Sequence, residues 1–168
     1  MGPSGSQWVE VGVIPINGMF RGATKVTIDD KGRVVVPTSH REQLAAPAAG
    51  RVIVTVDRDP CLRIYAFPEW QQIEAQLNAM PSLHPQVRRL QRLMIGHAEE
   101  MVVDSHGRLS LTPELREYAG LGRAAFLVGQ GRGLELWDEA RFKLQRDEWA
   151  KSEQGVTELA AELAGLQL

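Results

Sequence analysis

From about Thr24 onward, apolar and polar residues fall into short blocks, and the same blocks occur twice in the same order. In the first copy Val26, Ile28, Val34, Val35 and Val36 flank the polar stretch Asp29-Asp30-Lys31-Gly32. In the second, Met101, Val102, Val103, Leu109 and Leu111 flank Asp104-Ser105-His106-Gly107. Laying Val26–Val36 over Met101–Leu111 makes an Asp, a Gly and an Arg coincide at a constant offset of 75 residues. β-Favouring residues on both sides of a polar turn, with glycine three positions after the aspartate, predict a β-hairpin in each copy. Gly32 and Gly107 tolerate the positive φ such turns need, and the Asp29 and Asp104 carboxylates can bond turn amides. Arg33 and Arg108 follow at the mouth of each predicted hairpin.

A helix start comes next in both copies. Ser39-His40-Arg41-Glu42 has capping-box spacing, and Thr112-Pro113 pairs an N-cap residue with proline at the first helical position. The first helix is expected to end near Pro47 and the second near Gly120, followed by strands at Arg51 to Val56 and Ala124 to Val128. After a turn come the second strands, Leu62-Arg63-Ile64-Tyr65 and Leu134-Glu135-Leu136-Trp137. Trp70, Ile73, Leu77 and Met80 then recur at near-helical spacing, as do Phe142 and Trp149 after Trp137, and these aromatics are expected in the core. Between the copies, Pro85 to Ile95 predicts a helix with Val87, Leu90, Leu93 and Met94 on one side and Arg88, Arg89 and Arg92 elsewhere.

The divisions that follow are a disordered leader at 1–18, a first unit at 23–68, linking helices at 69–97, a second unit at 98–141, and a C-terminal helix with an acidic tail at 142–168. Leu159, Leu163 and Leu166 keep helical phase in that tail. Units this small bury too little apolar surface to be stable singly, so the two are expected to share a core.

Composition changes the picture little, and charge distribution changes it more. At 168 residues and 43 % hydrophobic the chain can build an ordinary core, and its net charge of −2 lends no support to nucleic-acid binding. From Met19 to Arg63, however, there are eight Lys or Arg against five Asp or Glu, whereas Ser152 to Leu168 holds three Glu and no basic residue. The positive charge is concentrated in the first copy. No apolar run reaches the roughly 20 residues a membrane-spanning helix needs, and the N-terminus lacks a basic stretch followed by an apolar core. A cytoplasmic protein is expected, and the single cysteine, Cys61, excludes an intrachain disulfide.

Several blocks together resemble the MraZ family of bacterial transcription regulators. They are Met19-Phe20-Arg21-Gly22, the two Asp-x-x-Gly-Arg turns, Pro60-Cys61-Leu62, Pro68-Glu69-Trp70, Arg88-Arg89-Leu90-Gln91-Arg92, Gly96-His97-Ala98 and Leu134-Glu135-Leu136-Trp137. The likeness runs from Met19 to about Trp149. It implies an α/β fold, a double swapped-hairpin (AbrB-like) β-barrel made from two tandem repeats with flanking helices. It also implies ring-shaped homo-oligomers, and binding to direct repeats of double-stranded DNA upstream of the division and cell-wall gene cluster. A nucleoid-associated location in the cytoplasm follows from that role.

Duplex DNA is a dense line of negative charge, and a two-stranded ribbon can enter its major groove with arginine paired bidentately to guanine. Arg33 and Arg108 are therefore the leading DNA-binding candidates, followed by Arg21, Lys25 and Lys31 near the first turn. Asp29, Gly32, Asp104 and Gly107 are assigned to the structural motif, because a carboxylate facing phosphates is repelled. A competing reading has each guanidinium pairing with its own aspartate or with a neighbouring chain. Arg88, Arg89 and Arg92 read better as solvated surface or subunit contacts than as a DNA face.

His97 and His106 lack a second ligand at metal spacing, Cys61 reads as packing, and Gly129-Gln130-Gly131-Arg132-Gly133 lies between strands rather than before a helix. No cofactor, metal site or catalytic constellation is expected. The rival function is a protein-interaction module controlling a partner enzyme, such as the methyltransferase that the family resemblance brings in. With Ser105-His106 replacing Asp30-Lys31, the first turn is expected to dominate DNA contact.

Overall fold

The computed structural model describes residues 19–151 and 164–166, so the leader and most of the acidic tail lie outside the described residues. The strands are β1 (Ala23–Thr27), β2 (Arg33–Val35), β3 (Arg51–Val56), β4 (Leu62–Ala66), β5 (Glu99–Val102), β6 (Arg108–Ser110), β7 (Ala124–Gln130) and β8 (Gly133–Asp138). The helices are α1 (Thr38–Ala45), α2 (Phe67–Ala79), α3 (Pro85–Met94), α4 (Pro113–Tyr118) and α5 (Glu139–Lys151). Six strands form an antiparallel sheet in the order β1-β7-β8-β4-β3-β5, and β2 and β6 pair with each other as a separate ribbon.

The predicted hairpins form as turns, but their strands do not ladder together. β1 of the first unit pairs with β7 of the second, β5 of the second pairs with β3 of the first, and β2 pairs with β6. Within the first turn a single bridge, Ile28 to Val34, joins the two arms. Each arm exposes hydrogen-bonding groups and one apolar face, and the other unit supplies the longer partner for both. The sheet does not close on itself into a barrel. β1 and β5 remain its edges, and the ribbon links them through the two turns.

Alternation along the strands sorts the side chains into two faces. Val52, Val54, Leu62, Ile64, Leu134, Leu136, Ala125 and Leu127 meet Leu44 of α1, Leu115 of α4 and the ribbon residues Val34 and Leu109 in the main core. On the opposite face Ile53 and Tyr65 pack with Trp70 and Leu77 of α2, while Trp137 and Cys61 pack with Phe142 of α5. Trp149 departs from the core expectation. It packs edge-on to Trp137 and Phe142 but remains 49 % exposed.

The expected capping box at Ser39 is not formed. α1 begins at Thr38 after Pro37, with no side-chain cap, and the amides of His40 and Arg41 both donate to the Pro37 carbonyl. Proline's fixed φ starts the helix there, which leaves Ser39 inside its first turn. Thr112 does cap α4, its Oγ1 accepting from the Leu115 amide at 3.3 Å.

Candidate nucleic-acid interface

Each turn is built by one aspartate. Asp29 Oδ1 accepts the amides of Lys31 and Arg33 at 2.9 Å, and its Oδ2 accepts Arg33 Nε at 2.7 Å. Asp104 repeats this 75 residues later, with Oδ1 accepting the amides of His106 and Arg108 at 2.9 Å and Oδ2 accepting Arg108 Nε at 2.9 Å. Gly32 and Gly107 sit at φ +79° and +78°, where a side chain is strained. The Arg108 amide, helped by the guanidinium and the His106 amide against a desolvation penalty, holds the Asp104 carboxyl at about 2. The Asp29 carboxyl is likewise held below its usual value, chiefly by the Arg33 amide.

The turns place both arginines on one surface. Register pairs Arg33 with Ser110, Val34 with Leu109, and Val35 with Arg108. Val34 and Leu109 point into the core at 2 % and 0 % exposure, so Arg33, Val35, Arg108 and Ser110 share the outer face. Arg33 and Arg108 are thus diagonal neighbours, about 7–8 Å apart by ribbon geometry. Their side chains stay 32 % and 30 % exposed. Nε carries every hydrogen bond their side chains make among the described residues, which leaves the terminal amino groups available. The ion pair with aspartate is therefore real, and it orients each guanidinium without saturating it.

Lys31 stands exposed at the tip of the first turn and joins this surface. Two other candidates do not. Lys25 lies in the middle of β1 with its Nζ 3.0 Å from Glu139 Oε2 on α5. Arg21 lies beyond the far end of β1, where Gly129 donates to the Gly22 carbonyl, roughly 25 Å of extended chain from the turn.

Three further arginines surround the turns. Arg123 bonds Asp30 at 3.2 Å beside the first turn. Arg116 of α4 occupies the space a side chain at Gly32 would need, and Arg41 of α1 does the same at Gly107. Arg41 and Arg116 stand at the same 75-residue offset as the turns, so extending the repeat alignment into the helices would have marked them.

The glycines at 129–133 form the β7–β8 turn, and Gly129 is required because the Arg21 backbone passes where its Cβ would lie. Asp57, Cys61 and Glu135 converge within 4.8 Å, but Arg63 Nη1 sits 3.3 Å from Asp57 and 3.6 Å from Glu135. A guanidinium already serves as the cation of that cluster, and burial pushes the Cys61 thiol up, away from the reactive thiolate. No described helix is long and apolar enough to cross a membrane.

The fold and this surface define a class: a tandem α/β protein whose two halves pair strands with one another and present two arginine-bearing turns on one ribbon. The family model described as MraZ protein matches the chain twice, over residues 19–93 and 94–163. "Transcriptional regulator MraZ" of Thioalkalivibrio sulfidiphilus is 48 % identical over 150 residues, covering 89 % of this chain and 100 % of the relative. Proteins of the same name from Halorhodospira halophila and Salmonella typhi are 45 % and 48 % identical, covering 89 % and 86 % of this chain and 100 % and 95 % of the relatives. The chain belongs to the MraZ family.

Proposed function

We propose that this protein is a transcriptional regulator that binds repeated sites in double-stranded DNA through the outer face of the β2–β6 ribbon. The observation that carries this reading is the diagonal pair Arg33 and Arg108, each held by its own aspartate with its terminal amino groups unbonded among the described residues. Such a group can pair bidentately with guanine O6 and N7 in the major groove. Lys31 adds a phosphate contact, and Lys25 and Arg21, set apart from the ribbon, reach only flanking phosphates.

The exchanged strand pairing supports a double swapped-hairpin core, with the ribbon completing the open side of the sheet. One ribbon carries little net charge, since each arginine has an aspartate beside it. Affinity then comes from a ring of copies meeting consecutive DNA repeats, where linked weak contacts multiply. The targets in this reading are the promoter repeats of the division and cell-wall gene cluster, and the protein works in the cytoplasm at the nucleoid.

The test is footprinting of the purified protein on its own upstream region, with the Arg33→Ala, Arg108→Ala double variant alongside. A regularly spaced footprint that disappears in the folded, normally assembled double variant is expected, as is binding that weakens steeply with salt. A double variant that protects the repeats as well as the parent would sink the ribbon mechanism.

A second reading, a surface for a protein partner, is favoured by the cavity of about 370 Å³ at α2 and α3, where Met80, Val87, Leu90 and Leu93 lie beside Arg58 and Arg89. A salt-insensitive response would support it.

A further inference from the structure

Arg41 and Arg116 each leave their own unit and pack on the turn of the other. Arg41, on α1 of the first unit, has its guanidinium against Gly107, and Arg116, on α4 of the second, lies against Gly32. The backbone crosses in the same reciprocal sense. The Val36 amide donates to the Gly107 carbonyl at 2.8 Å, and the Leu111 amide donates to the Gly32 carbonyl at 2.9 Å. Arg41 then closes its crossing by donating from Nε and Nη2 to the Val36 carbonyl at 3.3 and 3.0 Å. Neither arginine forms an ion pair among the described residues: Arg41 is held by packing and the Val36 carbonyl, and Arg116, whose side chain makes no hydrogen bond among the described residues, by packing alone. An isolated surface arginine has no reason to be arranged twice in this way.

We infer that Arg41 and Arg116 are positioning residues acting in exchange, Arg41 fixing the second turn and Arg116 the first. They touch no DNA. They set the angle at which Arg108 and Arg33 leave the ribbon, because the flat guanidinium fills the space that glycine leaves open and stops the turn from tilting inward. Lysine, with a compact head and no planar fork, cannot replace them. The consequence for DNA rests on the function proposed above, whereas the positioning itself does not.

The test compares Arg41→Met and Arg116→Met with the parent by amide hydrogen exchange and by duplex binding across a salt series. Arg41→Met is expected to speed exchange at 104–108 by about tenfold while leaving 29–33 within about twofold, and Arg116→Met to do the reverse. Both variants should bind the upstream duplex about tenfold more weakly, with the slope of log affinity against log salt unchanged.

Equal acceleration at both turns, or acceleration confined to the unit carrying the substitution, overturns the inference. So does a slope reduced by about one with exchange unaltered, since that marks a direct phosphate contact. If a methionine variant does not fold, Arg41→Lys and Arg116→Lys take its place and must show the same cross-unit pattern. A parent that ignores the duplex defeats the DNA reading, and the exchange data still decide the positioning role.

Discussion

Inside the two turns the bonding is the same: one carboxylate takes two amides and one guanidinium. Their surroundings differ. The first turn carries Asp30 and Lys31 at its tip, has Arg123 bound to Asp30, and lies under an Arg116 whose buried Nε has no hydrogen-bond partner among the described residues. The second carries Ser105 and His106 and lies under an Arg41 anchored twice to the Val36 carbonyl. A turn can therefore be copied intact while its charge and its packing are set by what the other unit places against it. The first copy is the more charged, and the second is the more neutral and has the guanidinium above it bonded to backbone.

The largest expected effect tests the ribbon beneath both turns. Leu109→Ala removes a fully buried side chain and should cost roughly 2–5 kcal/mol in denaturant unfolding. Val34→Ala, opposite it, should cost less because fewer methyl groups are lost. Equal losses would mean that the two halves of the ribbon pack alike.

Next in size are the single arginine variants. Arg33→Ala and Arg108→Ala should each weaken binding to a promoter-repeat duplex by roughly 1–3 kcal/mol, measured by titration at fixed salt. Arg33→Ala is expected to cost more, in line with the charge around the first turn. The opposite order would break the asymmetry.

Glycine substitutions sharpen the contrast in packing. Gly32→Ala and Gly107→Ala both strain a positive φ, a cost of about 1–2 kcal/mol in stability. Gly32→Ala should be worse, since its new methyl meets the Leu111 backbone carbonyl oxygen at 2.8 Å as well as Arg116, whereas at Gly107 it meets the Arg41 side chain alone, and thermal unfolding of the pair compares them directly. A smaller effect comes from Lys31→Ala, which should lower the salt slope of DNA binding by about one. His106→Ala should lower it less.

The smallest effect is in pH. Because the Asp104 carboxyl is depressed from its ordinary 3.8 to about 2, its contribution is fully present above the ordinary value and is lost as pH falls toward the depressed one. Carbon-detected NMR titration should find Asp104 still ionised at pH 3. A midpoint at the ordinary value would show that the turn bonds are not held in solution.

The turns were legible in the chain because their bonds are short-range. An aspartate reaching amides two and four residues ahead, a glycine at positive φ and the arginine after it form one local unit, and the 75-residue repeat displayed that unit twice. The failed capping box at Ser39 and the half-exposed Trp149 show where local signals stop deciding. Pro37 overrode the first, and the second has only the rings of Trp137 and Phe142 against it.

Which strand pairs with which was a tertiary decision. Alternation assigns a residue to a face but names no partner, so the pattern around Asp29 fits a closed hairpin as well as arms paired to β7 and β6. That pairing separated Lys25 and Arg21 from the ribbon, and it placed Arg41 and Arg116 on turns they do not belong to. By itself, the sequence determined the two turns and their chemistry. The tertiary structure alone decided that they face outward together, because only burial of Val34 and Leu109 in a core shared by both units turns Arg33 and Arg108 to the same side.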